Sequence, residues 1–189
     1  MKHHLRKSMK TLRESLPPEE AMEKSRQICS KFTASKSFEE AKTILFYLPI
    51  RGEVQTSEAI EIAISKGKIL AAPVVENGAL VPRKLQLDKL KVGPFGVLEP
   101  FGTSIIPLEN IDLVVVPGIA FDLHGGRIGY GKGYYDAFLK KIPKAKKIGL
   151  AYDFQIVSHF PKELHDVFTD IVFTEKRIIN CEGLRKNQG

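Results

Sequence analysis

Apolar residues fall at helical spacing from the start of the chain. Leu5, Met9, Leu12 and Leu16 form one stripe over residues 3–16, with His3, Arg6, Lys7, Lys10 and Arg13 on other faces. This predicts an amphipathic helix packed on the body, and the basic residues at its start, opposed by the helix dipole, are left to serve a ligand. Pro17, Pro18, Glu19 and Glu20 open a second helix, expected to run to about Thr33, with proline in its first turn and acids where the dipole favours them. The period then changes. Residues 43–48, TILFYL, read as a first core strand, 49–52 as a turn, and Thr56 or Ser57 as the cap of a helix whose Ile60, Ala63 and Ile64 face a sheet. Residues 68–75 give the next strand and complete a βαβ unit. Residues 79–85 and 92–99, rich in Pro and Gly, predict irregular extended structure covering a site. The continuous apolar run 113–116 reads as a strand buried on both faces, 147–152 and 171–174 as two more, and the tail from about 182 as frayed. The pattern specifies one domain over 1–189 of α/β class: an open, mostly parallel twisted sheet with helices on both faces, Rossmann-like and three-layered. Ligands of such sheets lie beyond the carboxyl ends of the strands, where residues 48–53 fall.

The stretch after the buried strand carries the chemistry. Gly125 and Gly126 are followed by glycine at every second position, Gly129, Gly131 and Gly133, with Arg127, Tyr130 and Lys132 between them. Tyr134, Tyr135 and Asp136 then lead into a short helix marked by Phe138, Leu139 and Ile142. Strand, glycine-rich turn and helix is the layout in which backbone N–H groups converge on an anion, and glycine admits the positive φ and the close approach that this needs. Lys132 and Arg127 add positive charge, and Asp136 a hard oxygen for magnesium. For glycines alone a solvated surface loop is the simpler reading; the interleaved basic, aromatic and acidic residues favour a nucleotide site. The spacing is neither that of the Walker A loop nor GxGxxG.

Composition narrows the classes. Lys and Arg exceed Asp and Glu by 29 to 22, a net charge of +7 over 189 residues, which suits anionic ligands but also nucleic acid or a basic surface. Much of the surplus sits in lysine clusters such as Lys140-Lys141 and residues 144–147, without interleaved aromatics. The two cysteines, Cys29 and Cys181, form no metal or disulfide pattern. No apolar run approaches the ~20 residues of a membrane span, and no apolar stretch follows the N-terminal lysines as in a signal peptide. A cytoplasmic monomer without membrane or nucleic-acid partners is expected. Residues 159–170 offer His159, His165, Asp166 and Asp170; a nucleotide site favours oxygen ligands, so a magnesium carboxylate is preferred to a histidine-bound metal. No GxSxG elbow or Cys–His pair suggests a covalent nucleophile.

GRIGYGKGYYDAFL preceded by VVVPGIAFD resembles the signature of 5-formyltetrahydrofolate cyclo-ligases, also called methenyltetrahydrofolate synthetases. KHHLR at the start, YLPIRGEVQT in the first third and LHDVFTD near the end extend the resemblance over nearly the whole chain. It implies ATP- and Mg2+-dependent closure of 5-formyltetrahydrofolate, with or without a polyglutamate tail, to 5,10-methenyltetrahydrofolate, giving ADP and phosphate. By motif position it places ATP contacts on Lys2, His3, His4, Leu5 and Arg6 and on Arg127, Ile128, Gly129, Tyr130, Gly131, Lys132, Gly133, Tyr134 and Tyr135. Folate contacts fall on Leu48 and Glu53 and on Tyr130, Gly131, Lys132, Gly133 and Tyr134. Asp136 and Asp166 match the magnesium ligands, with Asp170 as runner-up, and Lys132 and Arg127 take the catalytic role. Phe95, Phe101 and the stretch Tyr152, Asp153 and Phe154 are further pocket candidates. The chain would act by phosphorylating the formyl oxygen, after which N10 closes the ring. The alternatives are a dinucleotide-dependent oxidoreductase, which the glycine spacing disfavours, and a basic nucleic-acid-binding module, which leaves the glycine loop without a purpose.

Overall fold

The computed structural model describes residues 2–188 except Lys162 and His165, and of Phe95 only the backbone. Metal binding by His165 and ring stacking by Phe95 therefore concern groups outside the described residues. Helices α1 (Lys2–Glu14), α2 (Pro18–Thr33) and α3 (Lys36–Glu40) precede strand β1 (Thr43–Leu45); α4 (Ser57–Ser65) leads to β2 (Ile69–Glu76), and β3 (Ala79–Lys84) returns beside it. Then come β4 (Leu90–Val92), β5 (Leu98–Pro100), β6 (Leu113–Val116), β7 (Ala120–Asp122) and β8 (Arg127–Ile128). After α5 (Tyr134–Lys140) follow β9 (Lys146–Leu150), β10 (Ile156–Val157), β11 (Ile171–Phe173), β12 (Ile178–Asn180) and α6 (Cys181–Lys186).

Seven strands form the main sheet in the order β12-β11-β9-β6-β1-β2-β3. The five inner ones are parallel and the two edges, β3 and β12, antiparallel. Counted among themselves, the parallel strands run 2-1-3-4-5, a doubly wound order whose switch point lies between β1 and β6. Successive residues of each inner strand point to opposite faces, so each face needs its own apolar layer. Ile44, Leu70, Leu113, Val115 and Ile148 pack under α2, α3 and α4 through Ile28, Phe32, Phe38, Ala59 and Ile60. Leu45, Ala71, Val114 and Val116 pack under α5 and the turn after it through Phe138, Leu139 and Ile142. Phe32 meets Phe38, Phe46 and Phe173 at ring-centre distances of 5.1, 6.3 and 5.7 Å, pinning α2 to the sheet.

Several expectations are corrected. Residues 79–84 form a regular edge strand, where Pro82, having no N–H to donate, is tolerated. Thr56 precedes α4 but makes no side-chain cap; its hydroxyl donates to Tyr47 O at 3.1 Å, and Ile64 is half exposed. The tail expected to fray from about 182 contains α6, anchored by buried Cys181 and by Arg185, which donates to Thr169 O at 2.8 Å and to His124 O. No described helix is long and apolar enough to cross a membrane.

Arg185 secures the tip of the β7–β8 hairpin. There the Asp122 carboxylate accepts from the N–H groups of His124 and Gly126 at 2.9 and 2.8 Å, and Gly125 O accepts from Thr169 N at 2.8 Å. Gly125 has φ +87°, and a Cβ there would lie 2.1 Å from Thr169 O. Gly125→Ala is therefore expected to destabilise the fold by about 3 kcal/mol, combining left-handed strain with a backbone clash. A urea melt that superimposed on that of the unsubstituted chain would show that the hairpin tip yields freely.

Candidate active site

At the switch point the chain leaves β1 and folds into a turn over residues 50–53, closed by Glu53 N to Ile50 O at 3.0 Å. Both central residues, Arg51 and Gly52, are left-handed, with φ 47° and 73°. The turn brings the Glu53 side chain inward, where it is 4% exposed. One carboxylate oxygen accepts from Ile50 N and the other from the Tyr130 hydroxyl, each at 3.0 Å. Burial pushes Glu53 above the usual carboxylate range, while the Ile50 N–H, Arg13, the Tyr130 hydroxyl and Arg51 each oppose that push. Burial first and Glu53 second push Tyr130 up to about 12, so its hydroxyl stays a donor at neutral pH. Tyr135 is driven well above the ordinary range by burial and, next, by the charge of Glu53.

Arg13 joins these parts. It is 2% exposed, and its guanidinium donates to Arg51 O at 3.0 Å, to Gly118 O at 3.3 Å and to the Tyr130 hydroxyl. The N-terminal helix, the turns after β1 and β6, and the glycine loop thus meet at one side chain. Sequence reasoning placed Arg13 on a polar face and Leu12 on the apolar one; Leu12 is half exposed. The available signal was spacing, since residues 5, 9 and 13 fall on one helical face and Leu5 and Met9 pack against Ile119, Ile128 and Phe160.

The five glycines do not share one loop. Gly125 and Gly126 belong to the hairpin tip, whereas Gly129 and Gly131 lie beside α1, with Arg6 Nε donating to Gly129 O at 2.9 Å, and Gly133 precedes α5. Gly131 and Gly133 are left-handed at φ 100° and 69°, and Lys132 between them is exposed. α5 spans only seven residues, so the loop amides rather than a long helix dipole are available to an anion.

Arg127, expected at the phosphates, is turned inward. It pairs with Asp136 Oδ1 at 3.1 Å, donates to Pro117 O at 3.2 Å and lies with its guanidinium carbon 5.8 Å from the Tyr135 ring centre; its Nε is buried without a hydrogen-bond partner. Val167 N also donates to Asp136 Oδ1, at 3.2 Å, which sets the Asp166 segment against the first turn of α5. Asp166 in turn accepts from Glu163 N at 2.8 Å and lies 3.6 Å from Lys2 Nζ. The two carboxylates expected to hold magnesium therefore occupy one neighbourhood, although no cluster of three or more metal-ligating side chains exists among the described residues.

Other candidates fall as follows. His3 and His4 are exposed on α1, Ile128 is buried in the packing under α1, Leu48 packs at the rim of the core, and Tyr134 is half buried. Asp170 lies at the amino end of the parallel strands, accepting from Lys147 N at 2.9 Å and facing Arg185, so the runner-up ligand serves the fold. Asp153 is held by Thr174 and Arg177, each at 2.9 Å, and Tyr152 stacks on Phe154 with ring centres 5.6 Å apart. Phe101 is exposed beneath Lys91.

Comparison with known proteins agrees with this fold. The model of the 5-formyltetrahydrofolate cyclo-ligase family matches residues 1–175, all of the site and all of the fold before β12. A Caenorhabditis elegans protein named probable 5-formyltetrahydrofolate cyclo-ligase is 34% identical, the match covering 95% of each chain. The solved 5,10-methenyltetrahydrofolate synthetase of Aquifex aeolicus is 35% identical with a TM-score of 0.87, covering 95% of this chain and 92% of that one. The corresponding synthetase of Mycoplasma pneumoniae is 26% identical with a TM-score of 0.77, covering 92% and 98%. With the family model matched over residues 1–175 and a relative 34% identical over 95% of each chain, the chain belongs to the 5-formyltetrahydrofolate cyclo-ligases.

Proposed function

We propose that the chain closes 5-formyltetrahydrofolate to 5,10-methenyltetrahydrofolate, converting ATP to ADP and phosphate. The observation that carries this reading is the hydrogen bond from Tyr130 to Glu53 at 3.0 Å, which puts a buried carboxylate and an exposed glycine–lysine loop side by side at the switch point. The carboxylate suits the N–H groups of a pterin-type ring, and the loop suits a triphosphate. The formyl carbon on N5 resists attack because the nitrogen lone pair is delocalised into the carbonyl, and its oxygen leaves poorly. In the proposed route the formyl oxygen takes the γ-phosphoryl group and ADP departs; N10 then attacks the formyl carbon, phosphate leaves, and N10 loses its proton. The second step is intramolecular, so its entropy cost is small.

The chain supplies positioning and electrostatics. Loop amides over residues 129–133 and Lys132 hold the phosphates, with Lys2, Arg6 and their neighbours on α1 closing that side. Glu53, Leu48 and Tyr130 hold the folate. Arg127 acts on the phosphates only indirectly, by fixing Asp136. Asp136 and Asp166 offer the hard oxygens that suit Mg2+, which would neutralise charge on the transferring phosphoryl group when bound. Buried Cys29 and Cys181, both free thiols, fit a reducing cytoplasmic setting.

The direct test is incubation with 5-formyltetrahydrofolate, with and without Mg-ATP, watching for the methenyl chromophore. It should grow only in the complete mixture, and its absence there would remove the reading.

A further inference from the structure

We propose that Arg13 is a positioning residue for this reaction: through the Tyr130 hydroxyl its guanidinium holds the Glu53 carboxylate as an anionic receptor for the folate ring and fixes the glycine loop over it. The proposal rests on the reading of Glu53 as the ring's acceptor.

Arg13 is a buried cation whose hydrogen bonds go to two carbonyls and a hydroxyl, all neutral. A charge so placed is costly unless an anion lies close, and Glu53 lies one hydroxyl away. The geometry forms a chain in which the guanidinium donates to Tyr130 and Tyr130 donates to Glu53. Two carbonyl contacts would suffice to tie α1 to the turns after β1 and β6. The third donor instead reaches a residue of the loop itself. The turn is also pressed onto α1, since a Cβ on Gly52 would come within 3.0 Å of Arg13 O.

The groups that bear on Glu53 come from every element around it. Arg13 from α1 and Arg51 from its own turn favour the carboxylate, as do the Ile50 N–H and the Tyr130 hydroxyl. Tyr47 after β1 and Tyr135 of α5 are the other titratable neighbours, both held neutral chiefly by burial. Removing Arg13 deletes the stronger-acting of these two cations, Lys10 standing further off at 5.9 Å from the Tyr130 ring centre, and burial then drives Glu53 toward protonation. A protonated Glu53 accepts ring N–H groups less well. Folate affinity should thus be present above the Glu53 titration and be lost as the pH falls through it. Without Arg13 that loss should begin at higher pH.

The experiment compares the unsubstituted chain with Arg13→Gln and Arg13→Lys, varying folate and ATP separately from about pH 5.5 to about pH 9, with thermal melting to establish folding. Arg13→Gln is expected to move the acid limb of the folate kcat/KM upward by about one pH unit or more, the effect of losing a nearby opposite charge. Its folate KM should rise about tenfold at low pH and recover at high pH. Arg13→Lys keeps the charge but not the fork, so its acid limb should stay in place while kcat falls at every pH. A folate KM raised by one constant factor at all pH values in Arg13→Gln would reduce Arg13 to a structural strut and overturn the proposal. Unchanged kinetics would do the same. If Arg13→Gln does not fold, Arg13→Lys decides: a lowered kcat with an unmoved acid limb upholds the role, and an unaltered kcat ends it. Glu53→Gln separates the two readings. If it leaves folate KM untouched, Glu53 is not the acceptor; if it raises KM while Arg13→Gln leaves the acid limb unmoved, only the role of Arg13 falls.

Discussion

Lys132→Ala is expected to lower kcat by two to three orders of magnitude, roughly the 3–4 kcal/mol lost when one preorganised donor to a developing negative charge is removed. The side chain stands on the exposed part of the loop between two left-handed glycines, outside all four apolar clusters. Its removal should therefore leave the melting curve within about 0.5 kcal/mol of the parent, as for most surface substitutions. Folate affinity, which depends on Glu53 and the inner part of the loop, should change little. Lys132→Arg should restore only part of the rate, because a forked, planar cation does not replace a compact point charge in a tight loop. Kinetics of Lys132→Ala near those of the parent would show that the lysine does not meet the transferred phosphoryl group.

Much of this architecture was legible because the relevant signals are local. The all-apolar run 113–116 could hardly be anything but an inner strand, and it is β6 at the centre of the sheet. The double proline followed by two acids marked the start of α2, and the helix ends at Thr33 as expected. What escaped depends on contacts between distant segments. The glycines read as one loop are divided because β8 intervenes, and the partner that demands Gly125, the Thr169 carbonyl, lies 44 positions further along the chain. β12 and α6, three and six residues long, are too brief for periodicity to reveal; Ile179, Cys181 and Arg185 stabilise them through tertiary packing. Arg13 was placed off the apolar stripe because charge ordinarily is, although its position in line with Leu5 and Met9 pointed inward. Arg127 was assigned to the phosphates by its place among the glycines, and nothing local announced that Asp136, nine positions away, would hold it.

That ion pair carries the second large effect. Arg127 is 5% exposed and Asp136 is 24% exposed, so the two halves are not equivalent. Asp136→Asn keeps the Oδ1 acceptor that both Val167 N–H and Arg127 Nη2 use but removes its charge, which leaves a guanidinium almost wholly buried without the carboxylate opposite it, and should cost about 3 kcal/mol. Arg127→Met leaves a carboxylate that solvent still reaches and should cost less, about 1–2 kcal/mol. In the double variant neither charge is left unpaired, and the methionine fills much of the volume of the arginine stem. Its stability should recover by about 2 kcal/mol relative to Asp136→Asn, a coupling of the size seen between residues in direct contact. Catalysis should follow the opposite course. If the Asp136 carboxylate is needed for the magnesium-bound triphosphate, Asp136→Asn should lose about a hundredfold in kcat, and the double variant should regain none of it despite its restored fold. Urea melts and kcat measured on the same three preparations distinguish the roles. A double variant that recovered activity along with stability would mean that the aspartate serves only to neutralise Arg127, and a double variant no more stable than Asp136→Asn would mean that the buried guanidinium is satisfied by other means.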